Sequence, residues 1–239
     1  MSPKLKLISF DAWNTLLRLD LITESIAAGI GSLLNIDPRS VCRKMIETYE
    51  ELRRKWLLGE LEEQSILRIA QAALADNLDT SPDLISRGVA RGAAMLDPRK
   101  VVYPEVREVL ENLSDRFCLV VISNVFYWPG SYTRLILEKA GLAGFFKAQL
   151  YADEVGLSKP DKRIFVRASL LCGVDLESSI HVGDSLAEDI GGALSAGMKA
   201  AYLRRGSGRF QVMRELGLAL ISDLTQLERA IELLSEEQI

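Results

Sequence analysis

The sequence predicts an α/β protein, a doubly wound parallel sheet interrupted by one helical insert. Three observations carry that expectation. Short apolar runs alternate with helical patterns after residue 100, another apolar run lies at Leu5–Phe10, and the segment 20–99 between them has helical patterns without a convincing strand. Strand and helix in alternation are what a parallel sheet covered on both faces requires.

Taken in order, Leu5–Phe10 reads as a buried strand of that sheet. The insert is expected to hold helices over Leu21–Leu34, Pro38–Leu57, Glu60–Ala75 and Pro82–Met95. Asp37-Pro38 and Ser81-Pro82 open two of them, since a short polar side chain can cap the first amides and proline lacks the amide that would go unpaired. Further strands are expected at Phe117–Ile122, Ala148–Tyr151, Ser179–Val182 and Ala200–Leu203. The intervening helices begin at Pro104, Ser131, Pro160 and Ser185. Gly141, Gly173 and Gly197 stand where helices should stop, because glycine adopts the left-handed conformation of a C-terminal cap freely. Residues 1–19 and 100–239 are therefore expected to form one α/β core domain, and 20–99 a separate helical domain.

With 239 residues, 48% hydrophobic and 26% charged, the chain can bury a large core. A net charge of −4 and a pI near 5.3 disfavour a broad basic surface, so neither nucleic acid nor an anionic membrane is an expected partner. No apolar run approaches the roughly 20 residues needed to span a bilayer. The N-terminus has no signal-peptide pattern, and the expected location is cytoplasmic. Cys42, Cys118 and Cys172 form no CxxC pair. They are expected to be reduced thiols, neither a disulfide framework nor a zinc site.

Open parallel sheets bind ligands beyond the C-terminal ends of their strands. Asp11 follows the first strand, Ser123-Asn124 the second, and Asp184 the strand at Ser179–Val182, while Lys159 begins a helix after Tyr151. Singly, each has a bland reading as a turn, a cap or a solvated helix start. Together they place four polar groups, distant in sequence, on one rim, which is the pattern of an active site. A carboxylate such as Asp11 can attack a phosphoryl group or an sp³ carbon. Phosphoryl attack needs the phosphate charge offset, which a Mg²⁺ held by oxygen ligands does well. Asp184 supplies a second carboxylate, and Asp189 would orient it or a metal-bound water from behind. Ser123 and Asn124 offer donors to phosphoryl oxygens. Lys159 balances charge, and Thr15 fixes the loop around Asp11.

Leu7-Ile8-Ser9-Phe10-Asp11-Ala12-Trp13-Asn14-Thr15-Leu16 resembles the first motif of the haloacid dehalogenase-like superfamily, hhhhDxDxT. Val121-Ile122-Ser123-Asn124 is similar to its second motif, Ser158-Lys159-Pro160-Asp161 to its third, and Gly183-Asp184 through Asp189 to its fourth, GDxxxxD. The four occur in order over nearly the whole chain. The resemblance implies a Rossmann-like core with an inserted α-helical cap, Asp11 as covalent nucleophile, and the backbone carbonyl of Trp13 as a third protein oxygen on Mg²⁺ beside Asp11 and Asp184. Trp13 departs from the pattern. Phosphatases of the superfamily typically carry a second Asp there as acid and base, whereas the 2-haloacid dehalogenase branch has an aromatic residue. Asp184 and Asp189 keep the metal-binding form of motif four. The expected function is a Mg²⁺-dependent phosphatase acting on a small phosphorylated metabolite through an aspartyl-phosphate, suited to good leaving groups. The alternatives are a 2-haloacid dehalogenase and a catalytically weak member that binds a phosphorylated ligand. A monomer or homodimer is expected.

Other features are expected to be structural. His181, the sole histidine, is read as a satisfied core or rim residue, the Arg53-Arg54-Lys55-Trp56 cluster as an exposed helix face, and Arg204–Arg209 as a solvated basic loop. Phe126-Tyr127-Trp128 either line the substrate pocket or pack on the insert.

Overall fold

A computed structural model describes residues 5–61 and 66–235. The first strand, β1 (Leu7–Phe10), is buried at every position because it lies in the middle of the sheet. It pairs in parallel with β2 (Cys118–Ser123) on one side and β4 (Ser179–Gly183) on the other. β3 (Ala148–Tyr151) continues the sheet beyond β2, and β5 (Lys199–Leu203) continues it beyond β4. The chain thus winds both ways from β1, leaving a crevice at the C-terminal ends of β1, β2 and β4. Two strands lie outside the expected set. β7 (Leu218–Ile221) pairs in parallel with β5, and β6 (Gln211–Met213) closes the edge in antiparallel fashion.

The period of two within each strand divides the core between the two faces. Ile8, Phe10 and Val121 pack into one cluster, whereas Leu7, Val120 and Ile122 pack into the other. The covering helices are α6 (Val106–Ser114), α7 (Gly130–Lys139), α8 (Ala152–Val155), α9 (Lys162–Cys172), α10 (Gly192–Ala196) and α11 (Leu227–Ser235). Gly141, Gly173 and Gly197 all take positive φ just past helices, as expected. A π-helical turn, Leu186–Gly191, leads into α10, and its N-cap Ser185 hydroxyl accepts the Glu188 amide.

Between Asp11 and α6 the described residues form α1 (Leu19–Leu34), α2 (Pro38–Leu57), α3 (Ile66–Asn77), α4 (Pro82–Met95) and the short α5 (Pro98–Val101), with no strand of the sheet. Ser81 caps α4 through its hydroxyl, but Asp37 makes no side-chain cap bond to α2. The helix expected from Glu60 is described only from Ile66, and residues 62–65 lie outside the described residues. α1 and α4 touch backbone to backbone. A Cβ on Gly29 would stand 2.4 Å from both the Gly88 carbonyl oxygen and the Gly92 nitrogen, and one on Gly92 would stand 2.4 Å from the Ile26 Cα. The two connections to the sheet are laced together, with the Arg18 amide donating to the Val101 carbonyl at 2.7 Å and the Tyr103 amide to the Leu16 carbonyl at 3.2 Å.

Cys118 and Cys172 form a disulfide, Cα to Cα 6.2 Å, so the expectation of three reduced thiols is corrected; Cys42 remains free. The cause is topological: α9 runs back along the sheet, so its last residue returns to the edge where β2 begins. Disulfides are typical of oxidising compartments and of hyperthermophile interiors, so the cysteines give no support to a reducing location. Among the described residues, no single helix is long and apolar enough to cross a membrane.

Candidate active site

The C-terminal ends of β1, β2 and β4, with the turn that leads into α9, bring Asp11, Ser123, Lys159 and Asp184 to one cleft of about 610 Å³. Lys159 stands three residues before α9 and does not begin the helix as expected. Asp11 follows β1 directly, and its amide is bonded to the Val182 carbonyl at 2.8 Å, which ties its backbone to β4. Lys159 is 1% exposed and donates to Asp11 Oδ1 at 2.7 Å and to Asp189 Oδ1 at 2.6 Å. A buried ammonium is tolerable only with such partners. Burial alone would lower its pKa, but Asp11 and Asp189 outweigh burial and raise it, so Lys159 stays charged.

The three carboxylates differ in their support. Asp189 accepts Lys159 and His181 Nε2 (3.1 Å) on one oxygen and the Ser185 amide (2.8 Å) on the other. Burial acts to raise its pKa, yet Lys159 and His181 prevail and hold it below the ordinary value. Asp11 is pushed well above its ordinary value, first by burial and then by Asp189 and Asp184, against the opposing pull of Lys159. Asp184, which accepts the Asn14 side-chain amide at 3.0 Å, is pushed up to about 6, mainly by burial and next by Asp189. His181 is fully buried between Ser9 Oγ (2.8 Å from Nδ1) and Asp189. Burial pushes its pKa down, so it is a neutral, satisfied core residue, as expected.

Carboxylate oxygens of Asp11, Asp184 and Asp189 lie within 4.8 Å of one another, a set that could hold a metal ion. The fit rests on donor chemistry. All-oxygen donors suit a hard divalent cation. Three carboxylates gathered about one buried ammonium leave the site short of positive charge. The donors surrounding Asp189 leave it best suited to stand behind the other two.

Ser123 and Asn124 both line the cleft, but their side chains are used differently. The Ser123 hydroxyl makes one bond, to the Asn124 carbonyl at 3.2 Å. The Asn124 amide is committed: it donates to the Lys159 carbonyl (2.9 Å) and Glu188 Oε2 (3.0 Å), and accepts from the Lys159 amide (2.9 Å). It therefore braces the backbone that carries Lys159. Thr15 is fully buried beneath the loop, and its hydroxyl and that of Ser158 have no hydrogen-bond partner among the described residues.

Two basic segments correct the sequence reading. Arg53 and Trp56 of α2 line the cleft, and Arg53 Nε donates to Glu188 Oε1 at 2.9 Å, so that helix face is only partly solvated. Arg205 is anchored. It donates to the carbonyls of Asn14 (3.0 Å) and Thr15 (2.6 Å), pairs with Glu105 (2.6 Å) and lies 3.5 Å over the Tyr103 ring. It thereby pins the loop after Asp11, where Asn14 has a φ of 58°. Phe126, Tyr127 and Trp128 fit both readings, for all three line the cleft and the Tyr127 hydroxyl donates to the Met45 carbonyl of α2 at 2.6 Å. Glu188 had no signal beyond its place in motif four, and the partners of Arg53 and Arg205 lie 132 or more and 100 or more residues away.

Fold and site together define a class: a doubly wound α/β protein with carboxylates and a lysine gathered where open parallel sheets bind their ligands. The chain belongs to the haloacid dehalogenase-like hydrolases, whose family model matches residues 5–197. It is 29% identical over 129 residues to the 5-amino-6-(5-phospho-D-ribitylamino)uracil phosphatase of Escherichia coli, covering 52% of this chain and 51% of the relative. It is 36% identical over 109 residues to a phosphoserine phosphatase of Thermus thermophilus, covering 45% and 43%. The chain thus spans about half the length, or less, of these curated relatives. Two solved structures align over nearly their whole length. The magnesium-bound HAD-hydrolase YfnB of Bacillus subtilis shares the fold with TM-score 0.74 at 19% identity, covering 95% of this chain and 99% of that one. A 2-haloacid dehalogenase of Pseudomonas syringae has TM-score 0.66 at 25% identity, covering 95% and 98%.

Proposed function

We propose that the chain is a Mg²⁺-dependent phosphatase that transfers a phosphoryl group from a small molecule to Asp11 and then to water. In this reading residues 20–99 are a cap domain over a core made of 1–19 and 100–239. The work is cytoplasmic and requires neither nucleic acid nor a membrane. One observation carries the reading: three carboxylates have oxygens within 4.8 Å of one another, while the buried Lys159 beside them pairs with only two, Asp11 and Asp189. A site that displaced halide would gain nothing from that excess of negative charge.

Asp11 attacks phosphorus, the leaving oxygen departs with its bonding pair, and water then cleaves the aspartyl-phosphate. A bound Mg²⁺, held by Asp11, Asp184 and the Trp13 carbonyl with Asp189 behind them, would keep Asp11 ionised and offset phosphoryl charge. Lys159 balances Asp11 and Asp189 throughout. The Ser123 hydroxyl and the Asn124 backbone amide are the donors for phosphoryl oxygens. Asn124 acts through its side chain as a brace for Lys159, and Thr15 supports the loop from below. Indole at position 13 transfers no proton, so the leaving group departs without an acid from that position.

Trp13 and the apolar walls around it favour a second reading, 2-haloacid dehalogenation. A panel of phosphorylated metabolites run beside 2-chloropropionate, each with Mg²⁺ and with EDTA, separates the two. Phosphate release that needs Mg²⁺ and vanishes in Asp11→Asn is expected. Chloride release indifferent to EDTA, with no phosphate release, would install the dehalogenase instead.

A further inference from the structure

All three tryptophans of the chain, Trp13, Trp56 and Trp128, line the one cleft that holds the carboxylates. Trp13 stands edge-on to Trp128 with centroids 5.2 Å apart. Phe126 stands edge-on to Tyr49 at 4.7 Å and to Tyr127 at 5.0 Å. The aromatic wall therefore starts two residues from Asp11 and runs up into the insert. Among the described insert residues lining the cleft, Thr23, Tyr49, Arg53 and the indole N–H of Trp56 are the polar side-chain groups, and the rest of the insert's lining is apolar. The Arg53 guanidinium is already engaged by Glu188 and Ser185.

Such a wall is poorly suited to a polyol or amino-acid leaving group, whose hydroxyl or amine would lose water without gaining a partner. It suits a flat ring, which buries large apolar area and packs edge or face against indole and phenyl. The leaving-group chemistry agrees. With no acid at position 13, the departing oxygen must be stable as an anion. A phenol ionises near ~10, far below the ~15.7 of water.

We propose that the cleft selects aryl phosphates, the phosphate monoesters of phenols, seating the ring between Trp128, Phe126 and Trp56 with the ester oxygen beside Asp11. The inference rests on the phosphatase reading. In the first step the bond from an Asp11 oxygen to phosphorus forms and the bond from phosphorus to the aryl oxygen breaks. The electron pair leaves on the phenolate, which takes its proton from solvent. Water then adds to phosphorus and expels Asp11, giving orthophosphate, with no redox partner needed.

The test separates ring recognition from turnover by using phosphonates, which cannot be hydrolysed. Phenylphosphonate and hydroxymethylphosphonate are titrated into the full-length protein in millimolar Mg²⁺ by calorimetry. Phenylphosphonate should bind about tenfold tighter or more, in line with burying one ring. Phe126→Ala, or Trp56→Ala on the insert side should Phe126→Ala fail to fold, should bring the two ligands to within about threefold. Equal affinity for the two in the wild type overturns the aromatic inference and leaves the phosphatase reading standing. Failure of both to bind overturns the inference together with that reading.

Discussion

Replacing Lys159 with methionine tests the electrostatic account of the site. Methionine keeps much of the apolar stem and removes the ammonium that lies 2.7 Å from Asp11 and 2.6 Å from Asp189. Two buried carboxylates then share no counter-charge, and breaking a buried pair in this way costs about 3–5 kcal/mol. That is a large part of the ~5–15 kcal/mol by which a domain is stable. The cost has a pH sign. Asp11 is already pushed above its ordinary value of 3.8 by burial, and losing Lys159 pushes it further. A folded-state pKa above the unfolded one favours the fold at low pH, and that contribution is lost as pH rises through the folded value. The variant's deficit should therefore be greatest near pH ~8 and shrink toward pH ~5. Urea unfolding in EDTA measures it. With a slope of about 3 kcal/mol per molar, the midpoint should fall by about 1–2 M near neutral or higher pH. A fall below about 0.3 M there, or one unchanged at acid pH, would refute the reasoning.

Other expectations follow from single features. Asp184, moved from 3.8 to about 6 by burial and Asp189, should cost the metal-free fold about 3 kcal/mol as pH rises through that window. Asp184→Asn should lose less than the wild type across the same range by about that amount, read from urea midpoints, and equal losses in the two would refute the assignment. Trp13→Asp should speed alkyl phosphate hydrolysis by up to ~10²-fold. Wild type given acetyl phosphate should show a burst of product followed by slow turnover, and a linear progress curve would count against the missing-base argument. Reducing the Cys118–Cys172 bond, which spans 54 residues, should lower stability by up to about 4 kcal/mol, measured as a loss of thermal midpoint in reductant that a Cys118→Ser variant does not show.

The sheet was legible because its strands are short apolar runs between glycines and caps. A strand buried on both faces has no other pattern to offer. The acidic residues were legible because function in such sheets concentrates at strand ends, where Asp11 and Asp184 stand. The basic partners were not. Arg53 and Arg205 each sit in a charge run that looks solvated, and their carboxylate and carbonyl partners lie far along the chain. Cys118 and Cys172 meet only because α9 doubles back to the foot of β2. β6 and β7 were missed because Gln211–Met213 is an edge strand of three residues with none fully buried, and β7 is only half-buried.

The glycine contact between α1 and α4 restricts how the pocket could be re-engineered. Gly29, Gly88 and Gly92 leave no room for a methyl group, since added Cβ atoms would fall within 2.4–2.7 Å of the facing backbone. Leu19 and Thr23 of α1 line the cleft, so wedging the two helices apart would displace a wall of the pocket from behind. A library aimed at new specificity gains nothing from those three positions. Its freedom lies with Ile46 and Tyr49, 50% and 36% exposed, whose side chains line the same cleft from α2.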